Sequence, residues 1–317
     1  MPIQLPFAIF LMGPTASGKS RLALDLSSRI PAEIISVDSA QVYRGMDIGT
    51  AKPDRQTLSR IPHHLVDLIE PDQQYSAAQF RSDALRIMHE IAQRNKIPLL
   101  VGGTMLYFRA LREGLSELPP ADPVLRSMLE NQAKAIGWPA LHEQLAKLDA
   151  ETAARIKSTD SQRIQRALEV CLLTQQPMSE LLRPDRKTDF PFRSIDIALM
   201  PSDRSQLHQR IQHRFASMLD AGLIDEVRLI RSRYPALGPE SPSMRCVGYR
   251  QAYHYLDRQI DWQALHDTGI FATRQLAKRQ LTWLRGMSLD RMAIFDCLAD
   301  DLSVQILKYV ENELSRR

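Results

Sequence analysis

An eight-residue glycine loop near the start of the sequence constrains this chain more than any other feature. It has the spacing G-x-x-x-x-G-K-[ST] and reads Gly13-Pro14-Thr15-Ala16-Ser17-Gly18-Lys19-Ser20. The apolar run before it predicts a strand, and the leucine-containing pattern after it predicts a helix. In that context the loop amides and the helix N-terminus form a cradle for phosphate groups. A chance match in an ordinary glycine-rich turn is the competing interpretation, and the flanking elements argue against it.

Two side chains of this loop have expected roles. Lys19 would reach the terminal phosphate, and the Ser20 hydroxyl would hold a magnesium ion. The motif leaves open which molecule carries the phosphates, since nucleotides and other diphosphates share this chemistry.

Composition sets limits without choosing a function. The chain has 317 residues, 44% of them hydrophobic, and a formal net charge of +4, which permits an acidic partner but does not require one. Its three cysteines lack C-x-x-C spacing, which indicates a reducing compartment and no zinc site. The first apolar run leads straight into the phosphate loop, and no run is long enough to span a bilayer. We therefore expect a cytoplasmic protein without membrane association.

Residues 1–116 alternate between strand and helix patterns, which predicts an α/β fold with a parallel, P-loop NTPase-like sheet. One predicted strand ends at Asp38, and another, Pro98–Val101, is followed by Thr104 two glycines later. The run His64–Leu68 predicts a further strand. Ligands bind outside the carboxyl ends of parallel strands, so Gly13, Asp38 and Thr104 are expected to converge on one crevice.

Residues 117–190 show only helical patterns and predict an all-helical insertion into a core made of 1–116 and 191–317. One helix is expected to begin near Thr159, with a Thr159–Gln162 capping box, and to bury Ile164, Leu168 and Leu172. Residues 183–187 are expected to form an exposed linker. The strand pattern resumes at Ile195–Leu199.

The C-terminal half is mostly helical in pattern. An i, i+4 apolar stripe over Leu207–Leu219 predicts a helix with Arg210 and Arg214 on one flank. Residues 271–286 carry four basic side chains and no acidic one. This basic segment, with Trp283, is compatible with nucleic-acid contact, but a basic helix face is more often solvated and a tryptophan more often lies in the core.

Asp38 has several possible functions from sequence alone. It could bind a metal ion, hold an acceptor group, act as a general base or merely cap the end of its strand. No arginine-rich lid follows it, and we expect no later strand to end in a magnesium-binding aspartate apart from the weak candidate Asp67. ATP hydrolysis is therefore poorly supported.

Seven segments, taken in order, resemble the bacterial tRNA dimethylallyltransferase family, also called tRNA isopentenyltransferases. They are residues 13–20, 35–43, 45–53, 101–107, 160–169, 246–251 and 273–280. The resemblance runs almost end to end, and the zinc-finger extension of eukaryotic relatives is missing.

The resemblance implies transfer of a dimethylallyl group from dimethylallyl diphosphate to N6 of the adenine just 3′ of the tRNA anticodon. It implies that residues 13–20 hold the diphosphate with Mg²⁺ on Ser20, with Asp38 as a second candidate ligand. It also implies that Lys19 and one arginine stabilise the leaving group; the candidates are Arg214 and Arg210. Asp38 would be the general base, and Thr104 would orient the adenine amine.

The resemblance further implies a set of tRNA contacts, with the insertion gripping the anticodon arm. These contacts are Asp38, Ser39, Ala40, Gln41, Thr104, Arg126, Gln162, Arg163, Ile164, Gln165, Arg166, Gly248, Arg250, Lys278 and Arg279. Without the resemblance, Arg163 and Arg166 would be read as ordinary surface charges.

A self-contained site favours a monomer. Three other activities stay open at this stage: a small-molecule P-loop kinase, an RNA-binding NTPase, and a prenyltransferase that acts on free adenine nucleotides.

Overall fold

The computed structural model describes residues 5–116, 118–182, 190–287 and 292–316. The chain divides into two compact units. One unit, the core, comprises residues 1–112 with 190–317, and the other, the insertion, is Glu113–Asp189. The sequence predicts these boundaries at 117 and 190.

The core is built on a six-stranded sheet with the order β3-β2-β4-β1-β5-β6. Its strands are β1 (Phe7–Met12), β2 (Ala32–Val37), β3 (His63–His64), β4 (Ile97–Gly102), β5 (Arg193–Met200) and β6 (Met292–Asp296). All neighbouring strands are parallel. The central strands are continuous apolar runs because helices cover both faces of the sheet. The predicted α/β class with a P-loop-like core is confirmed.

The strand register places the functional loops side by side. Met12 and Val37 both pair with Gly102, so β1, β2 and β4 end at the same level of the sheet. Gly13, Asp38 and Gly103 follow these three ends directly. The three strand ends therefore lie side by side at the carboxyl edge, as expected, but of Gly13, Asp38 and Thr104 only Asp38 lines the cavity described below.

Nine helices are described in the core. They are α1 (Lys19–Ser27), α2 (Arg55–Arg60), α3 (Ala77–Gln93), α4 (Met105–Glu113, whose last residue begins the insertion), α10 (Arg204–Asp220), α11 (Leu223–Arg233), α12 (Tyr249–Leu256), α13 (Trp262–Gly286) and α14 (Leu302–Ser315). The predicted stripe of α10 is buried at all four of its positions, Leu207, Ile211, Phe215 and Leu219.

One predicted strand is wrong, and one strand is not predicted. The expected strand His64–Leu68 gives way to β3, His63–His64, because Leu65 and Asp67 have positive φ angles of 61° and 54° and turn the chain. Strand β6 is not predicted from the sequence, since it is a short edge strand with mixed exposure. It ends in Asp296, but the expectation excluded only a later magnesium-binding aspartate, and Asp296 has another role. The Asp296 carboxylate accepts hydrogen bonds from the backbone of Ser202 and Leu298, each at 3.0 Å, so it caps a loop.

The insertion contains α5 (Pro123–Ile136), α6 (Trp138–Leu148), α7 (Ala150–Arg155), α8 (Ser161–Thr174) and α9 (Met178–Leu181). Helix α8 begins one residue beyond Asp160, whose side chain accepts from the Arg163 amide, so the predicted cap at Thr159 is wrong. Ile164 and Leu168 are buried as predicted, but Leu172 is 37% exposed because the core face of α8 runs through Cys171. The predicted linker at 183–187 lies outside the described residues.

Among the helices that the structure describes, none combines the length and the apolar character needed to cross a bilayer.

Candidate active site

The phosphate loop forms the junction between β1 and α1. Gly18 precedes α1 with a φ of 83°, a conformation that glycine adopts without strain. The Lys19 ammonium donates to the Pro14 carbonyl at 3.1 Å, which folds the side chain back over the loop. The amides of Gly18, Lys19 and Ser20 have no hydrogen-bond partner in the described part of the chain. A free helix N-terminus of this kind is an anion site.

A single cavity opens at this edge of the sheet. Its polar lining includes Thr15, Lys19, Ser20, Ser36, Asp38, Gln41, Thr50, Arg214, Thr273 and Gln280. Its apolar lining includes Ile211, Phe215, Met218, Val247 and Leu276. The structure therefore brings together the predicted residues Lys19, Ser20, Asp38, Ala40, Gln41 and Arg214 around one space.

Two cations in this cavity lack carboxylate partners. Neither Lys19 nor Arg214 forms an ion pair with any residue that the structure describes. Burial and, to a smaller extent, the nearby Arg214 together lower the pKa of Lys19 to about 8, although Asp38 and Cys297 act in the opposite direction. Burial also lowers the pKa of Arg214, again against the influence of Asp38. Desolvated cations without counterions favour an anionic ligand.

Asp38 is held by one of its two oxygens. Its Oδ1 accepts a hydrogen bond from the Ala40 amide at 2.9 Å, which is a local turn cap. No described residue donates to Oδ2, so this oxygen is available to a substrate or a metal ion. The capping role and a chemical role are therefore compatible in one side chain.

Thr104 lies beside Asp38 but does not line the cavity. Its backbone amide donates to the Val37 carbonyl at 3.2 Å, and its Oγ1 accepts from the Ser39 amide at 3.1 Å. Thr104 thus contacts the residues on both sides of Asp38. In this structure the Thr104 hydroxyl stabilises the loop that follows β2. It does not reach the cavity, where the expected contact with the adenine amine would lie.

The structure separates the two candidate arginines of α10. Arg214 lines the cavity, whereas Arg210 is exposed and donates to the Cys297 carbonyl at 3.0 Å. The two side chains share one flank of α10 but are displaced by one helical turn along its axis, so only Arg214 is level with the cavity.

Glu226 holds a cavity loop that sequence reasoning does not connect to it. Its carboxylate accepts from the amides of Asp47, Ile48 and Gly49 at 2.9, 2.8 and 3.3 Å. The Tyr249 hydroxyl donates to the same carboxylate at 2.5 Å. Gly49 lines the cavity and leaves no room for a side chain, since a Cβ would lie 2.4 Å from the Tyr249 ring.

Sequence reasoning also misses the cavity residues of α13 and of the segment before α12. Thr273, Leu276 and Gln280 line the cavity, as do Cys246 and Val247. The signal for the α13 residues was available, because positions 273, 276 and 280 share one helical face. The positive charge of this segment instead favours its basic side chains, Arg274, Lys278, Arg279 and Arg285, as the functional ones.

Arginines of the insertion have a different environment. Glu169 is fully buried and accepts from Arg126 Nε at 2.8 Å and from Arg166 Nη1 at 2.5 Å. Burial alone would raise the pKa of Glu169, but these hydrogen bonds outweigh it and lower that pKa. Arg126 and Arg166 stay about one-third exposed, at 31% and 28% of their side-chain surface.

The other predicted RNA contacts of the insertion differ in exposure. Gln162 and Arg163 are exposed, and Arg163 pairs with Asp160. Gln165 donates to the Arg126 carbonyl at 3.2 Å. Ile164 lies in the insertion core with no exposed surface, so its side chain packs instead of facing an RNA.

The predicted RNA contacts nearer the C-terminus also differ in their exposure. Lys278 and Arg279 are exposed on α13, and Trp283 is 39% exposed instead of lying in the core. Arg250 pairs with Glu240. Gly248 is buried and caps α12 with a φ of 92°, so its role in this structure is conformational.

A parallel sheet whose phosphate loop, carboxylate and unpaired cations border one cavity defines the class of the fold, a P-loop-like α/β protein. Residues 41–287 match the family described as IPP transferase. The tRNA dimethylallyltransferase of Nitrosomonas europaea is 62% identical over 98% of this chain and 96% of its own length.

Solved structures give the same result. The full-length tRNA isopentenylpyrophosphate transferase of Bacillus halodurans is 34% identical, with a TM-score of 0.71 over 98% of this chain and 97% of that one. A eukaryotic dimethylallyltransferase acting on tRNA is 25% identical, with a TM-score of 0.83 over 98% of this chain and 80% of that one. The chain belongs to the tRNA dimethylallyltransferase family, which confirms the resemblance drawn from its motifs.

Proposed function

We propose that this protein transfers the dimethylallyl group of dimethylallyl diphosphate to N6 of the adenine just 3′ of the anticodon in tRNA, releasing diphosphate. The observation that carries the proposal is the shared cavity of the core. It combines an anion cradle, two unpaired cations, a carboxylate with one free oxygen and an apolar wall. The names of the relatives, tRNA dimethylallyltransferases, support tRNA as the acceptor.

The phosphate loop would bind the leaving group. The amides of Gly18, Lys19 and Ser20 are free for phosphate oxygens, and Lys19 and Arg214 add positive charge from the cavity wall. Negative charge grows on the diphosphate as its bond to the allylic carbon breaks. Donors placed in advance in a desolvated site stabilise such charge far more than water does.

The apolar lining would receive the five-carbon group. Ile211, Phe215 and Met218 of α10 and Leu276 of α13 border the same cavity as Arg214. An allylic carbon carries positive charge during departure of the diphosphate, and an apolar wall keeps water from capturing it.

Asp38 would accept the proton. The N6 lone pair of adenine is delocalised into the ring, so the amine is a weak nucleophile. A new bond forms between N6 and the allylic carbon, the carbon–oxygen bond to diphosphate breaks, and an N6 proton passes to the free oxygen of Asp38. Base catalysis of this type contributes about 10²–10⁴ in rate.

The donor set of the loop fits a magnesium ion. Mg²⁺ prefers one or two protein oxygens together with phosphate oxygens and water. The Ser20 hydroxyl is exposed at the cradle, and Asp38 lines the same cavity. When bound, Mg²⁺ would neutralise the diphosphate, and the Ser20 hydroxyl would hold it, which leaves the free oxygen of Asp38 for the N6 proton.

The acceptor would be an adenine turned out of its stack. An anticodon loop is single-stranded, which makes this displacement least costly, at a few kcal/mol. Ser39, Ala40 and Gln41 border or approach the cavity and would meet the displaced base. Gln162 and Arg163 of the insertion, and Lys278 and Arg279 of α13, are exposed for contacts with the anticodon arm. We propose that the enzyme acts as a monomer, because one chain supplies the anion cradle, the cations and the carboxylate that the reaction needs.

Radiolabelled dimethylallyl diphosphate and an unmodified anticodon stem-loop test the function directly. We expect label on the RNA, and none when guanine replaces the adenine next to the anticodon. AMP as acceptor tests the free-nucleotide prenyltransferase. ATP turnover without label on the RNA would support the kinase or NTPase readings and would rule out the proposed activity.

A further inference from the structure

One side-chain amide joins the phosphate loop to the loop after β4. Gln280 Oε1 accepts from the Thr15 amide at 2.8 Å, and Gln280 Nε2 donates to the Gly103 carbonyl at 3.0 Å. Gln280 lies on α13 and lines the active-site cavity. The contact therefore joins three segments that are far apart in the sequence.

We propose that Gln280 is a positioning residue that fixes the distance between the diphosphate cradle and the acceptor side of the cavity. The inference rests on the proposed function, which needs both substrates in one geometry. Gln280 uses its acceptor on one loop and its donor on the other, so neither loop can shift without breaking a hydrogen bond. It is not a catalytic residue, because its amide is occupied by backbone groups.

At Thr15, the hydrogen bond from the phosphate loop to Gln280 lies next to the residues proposed to bind the diphosphate. Thr15 lies within the glycine loop, and Pro14, its neighbour, accepts the hydrogen bond from Lys19. Displacement of Thr15 would move the carbonyl that orients the Lys19 ammonium. The cradle would then hold the diphosphate in a shifted position.

On the other side, the contact reaches the proposed base. Gly103 is followed by Thr104, which bonds to Val37 at 3.2 Å and to Ser39 at 3.1 Å. Val37 and Ser39 flank Asp38. A shift of Gly103 would therefore reach the backbone on both sides of the carboxylate.

Packing at Gly103 shows how close the Gln280 amide is to the loop. A Cβ at this position would lie 2.2 Å from Gln280 Nε2 and 3.2 Å from the Gly13 carbonyl oxygen. Gly103→Ala would therefore displace the amide while leaving Gln280 in the chain. This gives a second, independent way to break the same contact.

The test is a double-mutant cycle of Gln280→Ala and Gly103→Ala, with dimethylallyl diphosphate and the stem-loop RNA. Misplacement of reacting groups by about 1 Å costs on the order of 10² in rate. We expect each single variant to lose roughly 30–100-fold in kcat, with less than about a fivefold change in KM for the diphosphate substrate. The double variant should be about as slow as either single one, because the second change removes a contact already lost.

Gln263→Ala is the matched control. Gln263 is on the same helix, is exposed and bonds only to neighbouring Asp267, at 3.0 Å. It should keep full activity. Gln280→Glu keeps an acceptor for Thr15 but cannot donate to Gly103, so it should remain slow, and it replaces Gln280→Ala if that variant does not fold.

Hydrogen exchange of the Thr15 amide gives a readout that needs no turnover. Exchange should become at least about tenfold faster in Gln280→Ala, since the amide loses its partner. Unchanged exchange, unchanged kcat in a folded variant, or multiplicative losses in the double variant would each overturn the inference. Absence of label transfer by the wild-type protein would instead count against the proposed function, and the exchange result would still report on the contact.

Discussion

The cationic side chains of the core cavity and those of the insertion differ in how their charge is balanced. In the cavity, Lys19 and Arg214 have no carboxylate within ion-pair distance among the described residues. In the insertion, Arg126 and Arg166 share the buried carboxylate of Glu169, and Arg163 pairs with Asp160.

This difference separates two uses of positive charge. An unpaired, desolvated cation destabilises the empty protein but binds an anion strongly, because the ligand supplies the missing counterion. The side chain of a paired arginine is already oriented by its carboxylate. It presents hydrogen-bond donors in a fixed arrangement but little net charge, because the carboxylate balances the guanidinium. The cavity is arranged to bind a strongly charged small group, and the insertion to present a fixed surface.

The largest expected effect comes from the one acid of the cavity with a free oxygen. Asp38→Asn should lower kcat by about 10²–10⁴ while inorganic diphosphate binds no more weakly than to the wild type. Stability should hardly change, because asparagine still accepts from the Ala40 amide. Single-turnover kinetics and calorimetry measure the two quantities, and an unchanged rate would remove Asp38 as the base.

Loss of a cavity cation should affect binding but not stability. Arg214→Met should weaken diphosphate binding by roughly 10–100-fold, the usual range for a charged hydrogen bond. The melting temperature should stay equal or rise, since a desolvated charge is removed. Arg210→Met should cost less than about threefold, because that side chain is exposed and bonds to Cys297. Equal losses in the two variants would contradict this assignment.

Loss of the insertion acid should affect stability but not diphosphate binding. Glu169→Gln should lower the free energy of unfolding by about 1–3 kcal/mol, since two arginines lose their shared counterion. The lowered pKa of Glu169 means that the wild-type protein keeps this contribution at neutral pH and loses it as pH falls below the usual glutamate range.

Chemical denaturation measures the change, with Glu130→Gln as the control. Glu130 is exposed and accepts only one neutral hydrogen bond, from Gln165 at 3.1 Å. A comparable loss of stability in this variant would mean that the burial of Glu169 is unimportant.

Diphosphate binding should also depend on pH through Lys19. Its pKa of about 8 in the free protein means that the ammonium is charged below pH 8 and neutral above it. Affinity should therefore fall by roughly fivefold to tenfold between pH 7 and pH 9. Lys19→Gln should bind more weakly at pH 7 and lack this decline, while ionisation of the ligand itself affects both proteins alike. A parallel pH profile in the two proteins would exclude Lys19 as the source.

The smallest effect is expected at an exposed cation of α13. Lys278 has no ion-pair partner among the residues described, and a phosphate contact there would release counterions. Lys278→Ala should weaken RNA binding about twofold to fivefold and reduce the salt slope by about one unit or less. Lys308→Ala, an exposed lysine of α14, should leave the slope unchanged.

Local periodicity explains what could be predicted. The glycine loop and the buried strands depend on neighbouring residues, so the sequence predicts correctly that Gly13 and Asp38 follow strand ends. A parallel sheet then brings the strand ends together by rule, which located the cavity.

Contacts between distant residues explain what was missed. Glu226 binds a loop 177–179 positions earlier in the chain, and Gln280 binds Thr15 across 265 positions. No spacing in the sequence marks such a pair. The error at the start of α8 has another cause, because Thr159 and Gln162 match the capping-box pattern, whereas the neighbouring Asp160 is the stronger single cap and is the one the helix uses.

Strand order also has a consequence for synthesis of the protein. Strand β1 lies between β4 and β5, and β5 is made only after the whole insertion. Synthesis proceeds at about 5–20 residues per second, so one edge of β1 stays unpaired for several seconds until β5 has been made. The insertion has its own apolar core and local contacts, so it can fold during that wait. Chaperone binding to nascent chains should therefore peak before β5 emerges, while the apolar edge of β1 is still uncovered.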